Sequence, residues 1–136
     1  MGKNGKINVA IIGVGNCASS LVQGIHKYVE IPEDVEISGV MHNTIGGYRI
    51  EDIEVVAAFD IDENKVGKDL SEAVVAAPNH TIQGAEVPKT GVIVDRGMTH
   101  EGIGKYLEDI VKKAPGPTSD ITGILQEREV DVVINY

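Results

Sequence analysis

Between Ile12 and Leu21 the chain reads Gly13-Val14-Gly15-Asn16-Cys17-Ala18-Ser19-Ser20. Gly13, Gly15 and Ala18 stand at the spacing of a GxGxxA turn between a strand and a helix, a turn whose chemistry is the grip of a pyrophosphate. Gly13 permits the tight turn, Gly15 lacks a Cβ and lets the backbone approach the phosphates, and Ala18 lets the helix pack closely on the strand. The helix start then offers unpaired N–H groups and the positive end of its dipole to the anion. The same small residues would also suit a turn selected only for packing; the strand and helix on either side favour the dinucleotide. Asn16, Ser19 and Ser20 place polar side chains in or just after the turn, either to meet phosphate oxygens or to cap the helix. Cys17 has no base near it in sequence and reads as a small residue filling the helix start.

A dinucleotide site of this kind needs an acid at the end of the second strand, and Asp60 stands there. Its carboxylate accepts hydrogen bonds from the adenosine ribose and would repel a 2′-phosphate; with no arginine adjacent, this favours NAD. Asp60 follows Gly15 by 45 residues, where about 20 is usual, and an insertion over residues 30–52 absorbs the excess. Asp62 is left to cap the helix that follows. Asp95-Arg96-Gly97 comes after the third strand, on the carboxyl edge where such sheets bind ligands. Arg96 is placed either to meet a phosphate or to pair with Asp95 or another acid. His26, His42, His80 and His100 share no metal-ligand spacing, and one cysteine cannot complete a zinc site. No metal is expected.

The elements around these residues follow from patterning. Ile7 to Ile12 is a β-branched apolar run that reads as a buried parallel strand. Ala18, Leu21, Val22, Ile25 and Val29 recur at helical spacing, and Pro32 stops that helix. Gly46-Gly47 closes a small hairpin in the insertion. Glu54 to Phe59 is the second strand. Val66, Leu70, Ala73, Val74 and Ala77 predict a second helix, capped by Asp62 and ended by Pro78. Val92 to Val94 is a third strand, and Ile103, Leu107, Ile110 and Val111 predict a helix from Glu101 to Lys113. Ile121, Ile124 and Leu125 predict another, starting near Thr118 or Ser119, and Val130 to Ile134 is a fourth strand. Such alternation specifies an α/β fold, a Rossmann-like parallel sheet with helical crossovers, in one domain over 1–136. The fourth strand runs out at Asn135-Tyr136 with no ligand-facing loop and helix after it, so the domain is expected to be incomplete, a fragment of a longer protein.

Composition narrows the partners. The net charge of −9 repels polyphosphate backbones and sets nucleic acid aside. No run approaches the ~20 apolar residues that span a bilayer, so no membrane is expected. A lone thiol and the absence of an apolar leader at Met1-Gly2-Lys3-Asn4 point to the cytoplasm. With no Trp and one Phe, the core must be aliphatic.

The run from Val9 to Gly24 resembles the start of inositol-3-phosphate synthases of the bacterial and archaeal type. So do Gly39-Val40-Met41-His42, Ala57 to Asp62, Lys65-Val66-Gly67-Lys68-Asp69-Leu70-Ser71, and Gly102-Ile103-Gly104-Lys105-Tyr106. These segments keep their order and cover most of residues 7–136, and the resemblance also accounts for the insertion. It implies an NAD-dependent isomerase that converts glucose 6-phosphate to inositol 3-phosphate: oxidation at C5, ring closure from C6 onto C1, and return of the hydride. It also implies Asp69 as a further cofactor contact, the alternative being a solvated helix residue, and a homotetramer as the assembly. The family's catalytic lysines lie in a region beyond Tyr136, so no lysine here, Lys105 included, inherits their role. The chain alone is expected not to turn over. Without the resemblance, the motif would equally suit an ordinary NAD-dependent dehydrogenase or a non-catalytic NAD-sensing module.

Overall fold

Alternating faces organise the sheet. In strand β1, Ile7–Ile12, Val9 and Ile11 point to one side and Ala10 and Ile12 to the other, the two-residue period of extended chain. Strand β2, Ile53–Asp60, does the same with Ala58 against Ala57 and Phe59. The computed structural model describes residues 5–32, 34–99 and 103–136. In it β1 and β2 are joined by strand β3, Val94–Arg96, and strand β4, Val132–Asn135, in the order β3-β2-β1-β4, with every pairing parallel. Helix α1, Asn16–Tyr28, packs Ala18 and Val22 on one face. Helix α3, Ile121–Glu127, packs Ile121, Ile124 and Leu125 around Phe59 on the other. The fold is the Rossmann-like α/β sheet that the alternation implies. From β1 the chain winds outward through β2 to β3, then returns to lay β4 on the opposite side of β1. In sheets of this kind such a reversal, here at the carboxyl ends of β1 and β4, is where ligands bind.

Three elements differ from expectation. The helix predicted from Asp62 through Ala77 is a run of turns around one short helix, α2, Leu70–Ala73, with Asp69 as its N-cap. Here the backbone is engaged by the β3 segment. Gly67 N donates to Val94 O (2.8 Å), Val94 N to Lys68 O (2.9 Å) and Leu70 N to Val92 O (2.8 Å). Leu70, Ala73 and Val74 are still fully buried, while Val66 is half-buried and Ala77 exposed, so the apolar pattern reported the burial of its middle residues correctly and the helix wrongly. Strand β3 begins at Val94, two residues later than Val92. Of the helix predicted over Glu101 to Lys113, Glu101 and Gly102 lie outside the described residues, as does His100. Residues 105–110 are turns. Their continuation is pinned to the loop after β2 by Glu63 N to Lys112 O (2.8 Å) and Ala114 N to Ile61 O (2.7 Å).

Helix α3 starts close after Thr118 and Ser119, as expected, and is capped by Asp120, whose carboxylate accepts from Gly123 N. Within the insertion, Ile45 and Tyr48 exchange both backbone hydrogen bonds across Gly46-Gly47, both at positive φ. This is the predicted tight turn, since only glycine takes two successive left-handed positions cheaply. A 3-10 turn, Ile50–Asp52, then leads into β2. No helix among the described residues is long and apolar enough to cross a membrane.

Candidate dinucleotide site

The glycine turn emerges from the centre of the sheet. Gly13 N donates to Phe59 O at 2.8 Å, and Tyr136 N donates to Ile12 O at 3.0 Å, so both neighbours of β1 hold the strand as it ends. Gly13 has φ +91°, the left-handed region, and a Cβ there would stand 3.1 Å from the Tyr136 carbonyl oxygen. Geometry and crowding both require glycine at this position. Gly15 is different. It is the N-cap of α1 at φ −89°, and a Cβ built on it meets nothing within 4 Å. Glycine at this position answers to no neighbour among the described residues.

The helix that starts here carries no side-chain cap and no acid in its first turn. Its first N–H groups have no intrahelical acceptor, and they leave a positive end at the carboxyl edge of the sheet. Ala18 is fully buried against the sheet, as close packing of α1 requires. Cys17 is exposed, and its thiol is free.

Asp60 is drawn into the turn. One carboxylate oxygen accepts from Val14 N at 2.6 Å; the other accepts from Ile61 N (2.7 Å) and Asp62 N (2.9 Å). A carboxylate offers about four acceptor positions, so these three bonds leave Asp60 able to accept one more, from a hydroxyl. Asp62 caps no helix. It is 1% exposed, one of its oxygens accepts from Asn64 N, and the other has no partner among the described residues.

Other expected site residues are engaged elsewhere. Asn16 Oδ1 accepts from His80 N (2.8 Å) and Thr81 Oγ1 (3.0 Å), so its side chain does not cap the helix, and its Nδ2 is the group that could donate to a phosphate. Ser19 is 1% exposed and its Oγ accepts from Gln23 Nε2 at 3.0 Å; this is a core position, and a phosphate contact would require it to open. Asp69 accepts from Ser71 N, Ser71 Oγ, Thr90 N and Thr90 Oγ1 on one oxygen and from Gly91 N on the other. Burial raises its pKa, but the hydrogen bonds from Ser71 and Thr90 outweigh burial and hold the carboxyl well below the usual range. Asp69 is thus neither a solvated helix residue nor open to a cofactor while these bonds stand. Arg96 donates to the carbonyls of Ala114 and Gly97 and to Thr99 Oγ1, and among the described residues it pairs with neither Asp95 nor another acid. Lys105 lies against the ring of Tyr106, 4.8 Å from its centroid. Among the described residues no group of three or more acidic, histidine or cysteine side chains could hold a metal.

Two residues that hold the site gave no signal in the sequence. Asn79 Nδ2 donates to Val14 O (3.1 Å) and Val74 O (3.0 Å). Gln23 Oε1 accepts from Gly84 N (2.8 Å) and Ala85 N (3.3 Å). With Asn16, they stitch the segment 79–85 to the turn and to α1. Those contacts span more than 60 residues of chain, and no local pattern encodes them.

No protein-family model matches the chain. Curated relatives named inositol-3-phosphate synthase are 42% to 51% identical to it. That of Mycolicibacterium smegmatis is 51% identical over 97% of this chain and 36% of its own length. The chain therefore spans about a third of the curated relatives it matches. The crystal structure of Ari2 aligns with a TM-score of 0.73 at 33% identity, covering 96% of this chain and 37% of that one. A myo-inositol-1-phosphate synthase-related protein from Thermotoga maritima MSB8 aligns with a TM-score of 0.67 at 23% identity, over 96% and 34%, a likeness of fold.

Proposed function

We propose that this chain, homologous over nearly its whole length to a third of the inositol-3-phosphate synthases it matches, holds NAD for an enzyme that converts glucose 6-phosphate to inositol 3-phosphate. The single observation that carries the cofactor assignment is Gly15. The residue whose missing Cβ serves no packing among the described residues stands at an uncapped helix start, where a pyrophosphate needs the backbone bare. Asp60, with one acceptor position left, would take a ribose hydroxyl and repel a 2′-phosphate. Bound NAD would supply the hydride acceptor and donor for a reaction with no net redox change.

This chain's own residues hold and orient the cofactor. Gly13 turns the backbone, Gly15 and the first residues of α1, Asn16 and Cys17 through their N–H groups, face the phosphates, and Ala18 seats the helix. By the resemblance, the lysines that handle the sugar lie outside these residues. The assembly is a homotetramer and the compartment the cytoplasm, on the same resemblance and on the lone thiol.

Calorimetric titration with NAD tests the first part. The protein as its gene encodes it, incubated with NAD and glucose 6-phosphate, tests the second, with phosphorus NMR and NADH absorbance followed together. A new inositol phosphate signal without net NADH is expected. Steady accumulation of NADH would instead assign an ordinary dehydrogenase. NAD binding without any sugar chemistry would leave a sensing module.

A further inference from the structure

Lys65 lies in the loop between β2 and α2 and is 4% exposed. Lysine is almost never this buried without a partner. Among the described residues its ammonium has one hydrogen-bond acceptor, Asn79 Oδ1 at 3.0 Å. Asn79 in turn donates from Nδ2 to Val14 O and Val74 O. We propose that Lys65, acting through Asn79, is a positioning residue that sets the glycine turn for the dinucleotide; this rests on the NAD assignment above.

The argument runs through donor and acceptor chemistry. An ammonium can only donate, so Asn79 must present its oxygen to Lys65 and its NH2 group to the two carbonyls. The flipped amide would set NH2 against the ammonium and oxygen against both carbonyls. Lys65 thus dictates which way Asn79 faces. The Val14 carbonyl is then held toward Asn79 while the Val14 N–H is held by Asp60. The Val14–Gly15 peptide is trans, and in a planar trans peptide the C=O and the next N–H point in opposite directions. Fixing the Val14 carbonyl therefore aims the Gly15 N–H away from Asn79. Gly15 is also the residue with open space beside it. A buried charge 50 positions along the chain from Gly15 (65 minus 15) thus orients a backbone donor that meets the phosphates.

The test compares the unaltered chain with Lys65→Met and Asn79→Asp. NAD affinity is read by calorimetry, fold by thermal unfolding, and the turn by hydrogen exchange of the Val14 and Gly15 amides. Removing the buried ammonium leaves Asn79 Oδ1 without its donor, which costs some stability. Lys65→Met is therefore expected to unfold at a lower temperature and, while still folded at the binding temperature, to bind NAD about tenfold more weakly. A lysine with only a structural role would lower the unfolding temperature and leave the affinity of the folded protein unchanged. Asn79→Asp keeps an acceptor for Lys65 but sets oxygen against the Val14 carbonyl, and is expected to weaken NAD at least as much. In both variants the Val14 amide exchanges faster while amides in β2 do not change. Unchanged NAD affinity and unchanged Val14 exchange in Lys65→Met would overturn the proposal. If the unaltered chain fails to bind NAD, the cofactor assignment falls, and the amide exchange alone still decides whether Lys65 sets the turn.

Discussion

Replacing Gly15 by alanine separates the fold from its ligand. The methyl group would meet nothing within 4 Å, and φ −89° suits any residue. Alanine is a poorer N-cap than glycine by up to about 1 kcal/mol, but it restricts the unfolded chain, which returns about 0.4–1 kcal/mol. The two effects oppose, so urea unfolding should shift by less than about 1 kcal/mol. Binding should respond quite differently. A methyl group over the helix start holds the phosphates off the backbone, and losing one hydrogen bond to a charged group costs about 1.5–3 kcal/mol. The NAD dissociation constant should rise roughly ten- to hundredfold, read by isothermal titration calorimetry. Gly13→Ala should show the reverse order. Its φ of +91° and the 3.1 Å approach to the Tyr136 carbonyl oxygen should cost about 1–3 kcal/mol of stability before any ligand is added. If Gly15→Ala binds NAD within threefold of the unaltered chain, Gly15 does not face a pyrophosphate. If it loses more than about 2 kcal/mol on unfolding, the space around it is not open as described.

Asp60→Asn keeps one acceptor oxygen but removes the charge that opposes a 2′-phosphate; the preference for NAD over NADP, from parallel titrations, should fall about tenfold. Asp69 has its folded pKa lowered, so its contribution to stability is full above the unfolded value of about 3.9 and fades as pH falls toward the folded one. The stability gap between the unaltered chain and Asp69→Asn should therefore be widest above about pH 5 and shrink steadily toward pH 2 in urea melts. Asp95 has the opposite sign: burial raises its pKa, only partly offset by the charge of Arg128. Its ionisation opposes folding as pH rises, so Asp95→Asn should stabilise the chain at pH 7 and make no difference below about pH 3.5.

How far the sequence could be read depended on how local each feature is. The β1–turn–α1 unit was legible because a β-branched run, two glycines and a helical stripe lie within 23 consecutive residues, Ile7 to Val29, although Val29 itself falls just past the helix and is 37% exposed. Asp60 was legible as the acid at the end of β2, but its bond to Val14 N was not, because 46 positions separate the two. Of the stripe Val66, Leu70, Ala73, Val74 and Ala77, the middle three are buried, Val66 is half-buried and Ala77 is exposed, and the backbone is not the predicted helix, since hydrogen bonds to the β3 segment override helix propensity there. Asn79 and Lys65 carried no periodicity or motif of their own. A polar side chain acquires such a role only once folding has chosen its neighbours.

Among the described residues strand β4 pairs with β1 on one side only, and Val132 and Val133 are each 45% exposed. An apolar strand with a bare row of N–H and C=O groups is a template on which another strand can assemble. The force that keeps two such edges apart is the charge of −9 that each copy carries, and that repulsion is screened over about 10 Å at 0.1 M salt. Colloidal behaviour should therefore run against the usual habit of adding salt to keep a protein dispersed: light scattering from this chain should grow with ionic strength, and a lysine at Val133 should flatten the curve.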